Sequence, residues 1–116
     1  MKQPGQIVTF HFPQTDLAAG KVRPALLLAQ APGPFDDWLV CMISTELRHA
    51  VPGFDELVRQ TDPDFAPSGL RHPSLIRLAR LSVVSGQMLI GSLGAIAPER
   101  LNRIRQKLTG WINPQD

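Results

Sequence analysis

The sequence predicts a small, mostly β domain: a barrel of about six short strands with one helix at its C-terminal end. Its 116 residues include eleven Pro and nine Gly, which favour short elements joined by turns over long helices. Several segments alternate apolar and polar residues at the strand period, and the spacing becomes helical only after Pro98. The length suits one domain, 1–116, which can bury a core without disulfides or structural metal.

The first half of the chain predicts three strands. Residues 7–12 alternate between two faces, as a strand does. Residues 14–21 are polar and include a glycine, which predicts a loop. Residues 25–29 are continuously apolar, as in a strand buried on both faces, and Pro24 opens them, which a strand allows. Residues 38–43 predict the third strand.

The middle of the chain gives weaker signals. Residues 54–58 fit a short strand or a helical turn, and the sequence leaves both open. Residues 74–81 alternate again, which predicts a strand with Arg77 and Leu81 on one face. Residues 85–87 lie between two apolar segments and predict a hairpin.

The last element is predicted to be an amphipathic helix. Proline suits the first helical position, and Glu99 suits the positive N-terminal end of the helix. Glu99 and Arg103 have the spacing of a favourable ion pair. The apolar residues that form a single helical stripe are Leu101, Ile104, Leu108, Trp111 and Ile112.

Charge is unevenly distributed, although the net charge is only +2. Residues 36–64 hold seven acids and two bases, whereas residues 71–107 hold seven bases and one acid. Nine of the twelve basic residues are Arg, which binds phosphate in a bidentate manner better than Lys. The basic half suggests a polyanion partner, and a solvated basic face is the alternative that charge alone leaves open.

Composition excludes several classes of protein. One cysteine, Cys41, excludes an intramolecular disulfide and fits a reducing compartment, so we expect a cytoplasmic protein. Cys41 also lies inside an apolar strand, which favours a core thiol over a nucleophile. No apolar run approaches the roughly 20 residues of a membrane helix, and no signal peptide is evident.

The sequence predicts neither a metal site nor a cofactor. The densest carboxylates, Asp36 with Asp37 and Asp62 with Asp64, have no histidine at ligand spacing and are interpreted as solvated turns. No glycine-rich loop follows a strand and opens a helix, so phosphate binding of the dinucleotide or P-loop type is not supported.

Two kinds of residue remain as candidates for chemistry. Two of the three histidines, His11, His49 and His72, would suffice for acid–base cleavage of a phosphodiester, but their spacing does not show that any two meet. Arg23 directly precedes Pro24 at the mouth of a buried strand, which orients its guanidinium. An ordinary edge arginine is the alternative reading of Arg23.

Several segments together resemble the PemK/MazF (Kid-like) family of type II toxin–antitoxin endoribonuclease toxins, in order and over nearly the whole chain. The most specific part is the glycine-led first strand, followed by a loop and the Arg-Pro-Ala-Leu run. The matching segments are Pro4-Gly5-Gln6-Ile7-Val8, Phe12-Pro13-Gln14-Thr15-Asp16, Lys21-Val22-Arg23-Pro24-Ala25-Leu26-Leu27-Leu28, Met42-Ile43-Ser44-Thr45, Ser68-Gly69-Leu70-Arg71, Pro73-Ser74-Leu75-Ile76-Arg77-Leu78 and Leu93-Gly94-x-Ile96-x-Pro98-Glu99.

The resemblance implies an SH3-like barrel that usually forms a homodimer. It implies an endoribonuclease that cleaves single-stranded RNA without a metal or cofactor, by attack of the 2′-OH on the adjacent phosphate, leaving a 2′,3′-cyclic phosphate. It also implies a cognate antitoxin with an acidic tail that blocks the groove of the dimer.

By position, the resemblance assigns roles to three residues. Arg23 is expected to contact and stabilise the phosphate, Ser44 to hydrogen-bond the same phosphate, and Arg77 to act as general acid. The additional residues expected to bind RNA or antitoxin are Lys21, Arg71, His72 and Arg80.

The chain departs from the family pattern at three positions: Gln6 replaces an acidic residue, Leu17 lies near the usual position of a histidine, and Ala79 replaces an acidic residue that is a candidate general base. An alanine cannot accept a proton from the 2′-OH. Glu46 or His72 would have to replace it, electrostatics would have to carry the rate, or the chain is weakly active or inactive.

Two further readings stay open at this point. The first is a catalytically degenerate module of the same fold, which binds RNA or antitoxin without turnover. The second is an unrelated SH3-like interaction domain, since this barrel serves many functions. The RNA cleavage motif and the identity of the antitoxin do not follow from the sequence.

Overall fold

The computed structural model describes residues 2–11 and 22–115, over which six antiparallel strands form one sheet in the order β4-β5-β3-β2-β1-β6. A short and a longer α-helix complete it, with 3-10 turns at Leu47–His49 and Gly86–Met88. The elements are β1 (Gln6–His11), β2 (Val22–Gln30), β3 (Asp37–Ser44), β4 (Glu56–Val58), α1 (Phe65–Ser68), β5 (Ser74–Ser85), β6 (Leu89–Ala95) and α2 (Pro98–Ile112). The mostly β prediction, with a C-terminal helix, is confirmed.

The three strands predicted in the first half are also confirmed. The ordered part of 7–12 lies in β1, while 25–29 and 38–43 lie in β2 and β3. Pro24 is the third residue of β2, opposite Thr9, rather than its first. Phe12 and the predicted loop 14–21 fall outside the described residues. Residues 54–58, left open by the sequence, contain the short strand β4.

The predicted hairpin around residues 85–87 is wrong. β5 pairs with β3 and β4, whereas β6 pairs with β1 at the other edge of the sheet. The backbone N–H of Gly86 donates to the carbonyl oxygen of Asp36 at 2.6 Å, just before β3. A 3-10 turn follows, capped by Ser85. This contact directs the chain away from β5 and across to β1.

A bulge interrupts β5. Arg77 pairs with Met42, but the next pair joins Leu81 to Cys41, so residues 78–80 are extra on the β5 side. Because Met42 and Cys41 face opposite sides of the sheet, Arg77 and Leu81 do too. The expectation that they share a face is therefore wrong, and Leu81 packs on the side that α2 covers.

The two faces of the sheet carry separate apolar clusters. The cluster on the helix side includes Ile104 and Leu108 of α2, with Leu101 packed against it. The opposite cluster comprises Val8, Phe10, Ala25, Leu27, Trp38, Val40 and Val84. The last residues of the predicted helical stripe are not buried: Trp111 is 50% and Ile112 is 72% exposed. The edge of the Trp111 ring packs on Phe54, with ring centroids 5.7 Å apart.

The barrel is closed by a backbone contact rather than by strand pairing. A Cβ at Gly69, directly after α1, would collide with the carbonyl oxygen of Leu93 in β6. A Cβ at Gly94 would collide with the carbonyl oxygen of Pro67. Gly69 also has φ +75, which favours glycine. Both glycines belong to segments that carry the family resemblance, and here the two segments touch.

Helix α2 is attached to the barrel by a buried cationic side chain, Arg100. Its Nε and Nη2 donate to Asp64 at 2.7 and 3.0 Å, Nη1 donates to Glu56 at 3.0 Å, and Nη2 also donates to Asp62 at 3.0 Å. The interpretation of Asp62 and Asp64 as a solvated turn is therefore wrong. Hydrogen bonds from Arg100 hold the pKa of Asp64 below its usual value, against the opposing effect of burial.

A second set of contacts joins α2 to Glu56 of β4. Arg103 donates to both carboxylate oxygens of Glu56, and Lys107 donates to Oε2 at 2.6 Å. Burial alone would raise the pKa of Glu56, but the bonds from Arg103 and Lys107 outweigh it and hold the pKa below its usual value. Arg103 thus pairs with Glu56 rather than with Glu99. Three bases of the basic half are consumed inside the fold.

Candidate functional site

A depression of about 320 Å³ opens where β2 begins and β3 ends. Arg23 lies at the start of β2 and Ser44 at the end of β3, and both side chains are partly buried. The residues that line the depression are Arg23, Pro24, Ile43, Ser44, Thr45, Glu46 and Ser74. The expectation that Arg23 and Ser44 lie close together is confirmed.

The strand register explains why these two residues meet. Ala25 pairs with Met42 in the antiparallel ladder of β2 and β3, so two further steps bring Arg23 opposite Ser44. Opposed residues of an antiparallel pair share a face of the sheet. The guanidinium and the hydroxyl therefore project from the same face.

The hydroxyl of Ser44 is fixed by the next turn of the chain. Its Oγ accepts the backbone N–H of Glu46 at 3.0 Å. A serine hydroxyl has one proton to donate besides its acceptor lone pairs. The local hydrogen bond uses an acceptor lone pair and leaves that proton for an anion in the depression.

Arg77 lies one strand further along the same face. It pairs with Met42, which is two residues and so about 7 Å along β3 from Ser44. It does not line the depression itself. The sequence missed how this position is supported. The N–H of the following residue, Leu78, donates to Asp55 Oδ1 at 3.0 Å, while Oδ2 of Asp55 accepts the N–H of Val51 at 2.8 Å.

The other predicted binding residues are distributed around this face. Arg71 and His72 are exposed just before β5, and the carbonyl oxygen of His72 accepts the hydroxyl of Ser74, which lines the depression. Arg80 is exposed in the β5 bulge. Lys21 lies outside the described residues.

The structure does not bring two histidines to the depression. None of the described residues that line it is a histidine. His11 pairs with Val22, next to Arg23 in sequence, and so faces the opposite side of the sheet. His49 ends an exposed 3-10 turn. Ala79, where the family pattern has an acid, is exposed within the bulge.

Cys41 is completely buried in the helix-side cluster. Burial raises the pKa of its thiol to about 12, and the charge of Asp55 adds to the shift. The prediction of a core thiol is confirmed. Over residues 2–11 and 22–115, no three His, Cys, Asp or Glu side chains are grouped to hold a metal ion. Within the same ranges, neither helix has the length and apolar character to cross a membrane.

Sequence reasoning also missed the role of Arg100. The signal that was available is its spacing, since Arg100, Ile104 and Leu108 recur every four residues and occupy one face of the helix. An arginine on the apolar side of a helix needs buried acids. The two carboxylates at residues 62 and 64 were the candidates.

Comparison with known proteins agrees with this architecture. Residues 3–112 match the family described as PemK-like, MazF-like toxin of type II toxin-antitoxin system. The chain therefore belongs to this family, and the reading as an unrelated interaction domain is wrong.

The fold is also similar to a solved structure titled an endoribonuclease in complex with its cognate antitoxin from Mycobacterial species. The TM-score is 0.69 at 16% identity, and the match covers 100% of this chain and 99% of the other. A search of curated proteins gives no match.

Proposed function

We propose that this toxin-family protein is an endoribonuclease that cleaves single-stranded RNA without a metal, through attack of the 2′-OH on the adjacent phosphate. The observation that supports the proposal best is the shared depression of Arg23 and Ser44, with Arg77 one strand away on the same face. This arrangement presents two cations and a hydroxyl to one phosphodiester.

The proposed chemistry needs positive charge where the transition state gains negative charge. Attack of the 2′ oxygen on phosphorus builds charge on the non-bridging oxygens, and the guanidinium fork of Arg23 is suited to bind them. Ser44 donates its hydroxyl proton to the same group. Arg77 is placed for the departing 5′ oxygen, in the general-acid role that the resemblance implies.

Incubation of the purified protein with a long single-stranded RNA in EDTA tests this function. We expect cleavage, with fragments that end in a 2′,3′-cyclic phosphate. A requirement for a divalent metal, or a 5′-phosphate product, would contradict the proposed mechanism.

One observation favours a second candidate, a degenerate module that binds RNA or antitoxin without turnover. Ala79 leaves the bulge after Arg77 without a proton acceptor. This reading predicts RNA affinity without cleavage. If the missing carboxylate limits the rate, Ala79→Asp should raise cleavage above the wild-type level.

We further propose that a cognate antitoxin with an acidic segment competes with RNA for this face, as the complex named for the structural neighbour suggests. A homodimer is also proposed, because apolar side chains near the unpaired edge of β6 remain exposed, among them Met88, Ile90 and Leu93. Sedimentation as a monomer at micromolar concentration would contradict the dimer. An RNA substrate places the protein in the cytoplasm.

A further inference from the structure

Glu46 has no role in the mechanism so far, although it lies beside the site. It lines the depression that holds Arg23 and Ser44. Its backbone N–H is bonded to Ser44 Oγ at 3.0 Å, which fixes the start of its side chain next to the hydroxyl. Among the described residues that line the depression, Glu46 is the one carboxylate.

The other proton acceptors nearby are engaged or face elsewhere. Both carboxylate oxygens of Asp55 accept backbone N–H groups. His11 is on the opposite face of the sheet, and His72 does not line the depression.

The side chain of Glu46 has the exposure that a proton acceptor for RNA requires. It is 59% exposed, and its Oε2 lies 3.2 Å from Nε of Arg48, which is 79% exposed. An exposed ion pair of this kind contributes at most about 1 kcal/mol, so an incoming substrate can displace it. The second carboxylate oxygen can accept a proton without breaking the pair.

We propose that Glu46 is the general base of the cleavage reaction and replaces the acid that Ala79 lacks. This inference rests on the proposed function. Glu46 takes the proton of the 2′-OH as the bond between O2′ and phosphorus forms. The bond between phosphorus and O5′ breaks, and the 5′ oxygen takes a proton from Arg77, which regains one from water. Glu46 returns its proton to solvent.

The experiment compares single-turnover cleavage by the wild type and Glu46→Gln as a function of pH. We expect the variant to be slower by about 10²–10⁴, the usual contribution of a general base. It should also lose the acidic limb of the pH–rate profile. Its affinity for RNA should be unchanged or higher, because a negative charge next to the phosphate is removed.

Two further variants separate this role from a structural one. Glu46→Asp keeps a carboxylate and should retain the acidic limb at a lower rate. His49→Gln, on the same exposed turn, should match the wild type. Thermal unfolding of all variants should be unchanged, because both positions are exposed.

The outcomes distinguish the two proposals. Wild-type cleavage that Glu46→Gln retains within about twofold, or an acidic limb that only His72→Ala removes, would overturn the assignment of Glu46 alone. An RNA that the wild type binds but does not cleave would overturn the proposed function and this inference together.

Discussion

The carboxylate of Asp55 accepts the backbone N–H of Leu78 at 3.0 Å, 23 positions later in the chain. This bond lies where the β5 bulge begins, immediately after Arg77. The other oxygen of Asp55 holds the turn at Val51. A single side chain thus fixes both the bulge and the segment that follows the Ser44 turn.

Asp55→Ala should reduce the free energy of unfolding by about 1.5–3 kcal/mol, since it removes charge-assisted hydrogen bonds to backbone N–H groups. Chemical denaturation measures the change. Asp37→Ala is the matched control, because no side-chain bond is seen for Asp37, and it should stay within about 0.5 kcal/mol. Equal effects of the two substitutions would contradict the role given to Asp55.

Arg100→Met should destabilise the protein by about 3–5 kcal/mol, because it leaves the buried carboxylates of Asp64 and Glu56 without this partner. Arg105→Met on the same helix should cost less than about 1 kcal/mol. Arg105 is exposed and makes one long bond, 3.4 Å, to the carbonyl oxygen of Leu28. Comparable losses would show that α2 is not held mainly by Arg100.

Acid should weaken the wild type through the same cluster. Folding lowers the pKa values of Asp64 and Glu56 from their ordinary values of 3.8 and 4.5. Their contribution to stability is present above those values and is lost as pH falls through the lowered folded pKa values. Denaturation curves should show constant stability above about pH 5.5 and a decline below it. In Arg100→Met the decline should be smaller.

If the protein cleaves RNA, Arg23→Ala should slow single-turnover cleavage by roughly 10²–10³, the usual loss for a preorganised donor to a developing oxyanion. Ser44→Ala should cost less, because a neutral hydroxyl donates a weaker bond. Arg77→Ala should fall between them or match Arg23→Ala. Circular dichroism controls for folding. Cleavage by Arg23→Ala at the wild-type rate would remove the basis of the proposed site.

The salt dependence of RNA binding should reflect the exposed arginines alone. Each phosphate contact with single-stranded RNA contributes about −0.7 to the slope of log K against log salt. Arg71→Gln should therefore reduce the slope by about 0.7. Arg103→Gln should leave it unchanged, since Arg103 is paired with Glu56. A slope that depends on Arg103 would mean that the ion pair opens to bind RNA.

Local patterns predicted much of this fold, because β1 to β3 and α2 bury residues at the period of their own backbone. The neighbouring positions of Arg23 and Ser44 also followed, since consecutive strands usually pair. The pairing of β6 with β1 could not be predicted, because it depends on Gly86 meeting Asp36 at long range.

The bulge that turns Leu81 away from the face of Arg77 could not be predicted either. It is stabilised by Asp55, which belongs to a different segment of the chain. The buried acids around Arg100 were misread for the same reason, since a pair of aspartates in a turn looks solvated until a helix packs over it.

The burial of Cys41 gives this protein a built-in clock for its own opening. It is the one thiol in the chain, and burial suppresses the thiolate that alkylating reagents attack. Labelling of the native protein therefore has to wait for the helix-side core to open, so its rate reports the free energy of that opening. A cysteine placed on the exposed turn at residues 47–49 would be the only fast-reacting thiol. A fluorophore attached there could follow a ligand entering the depression without removal of the native cysteine.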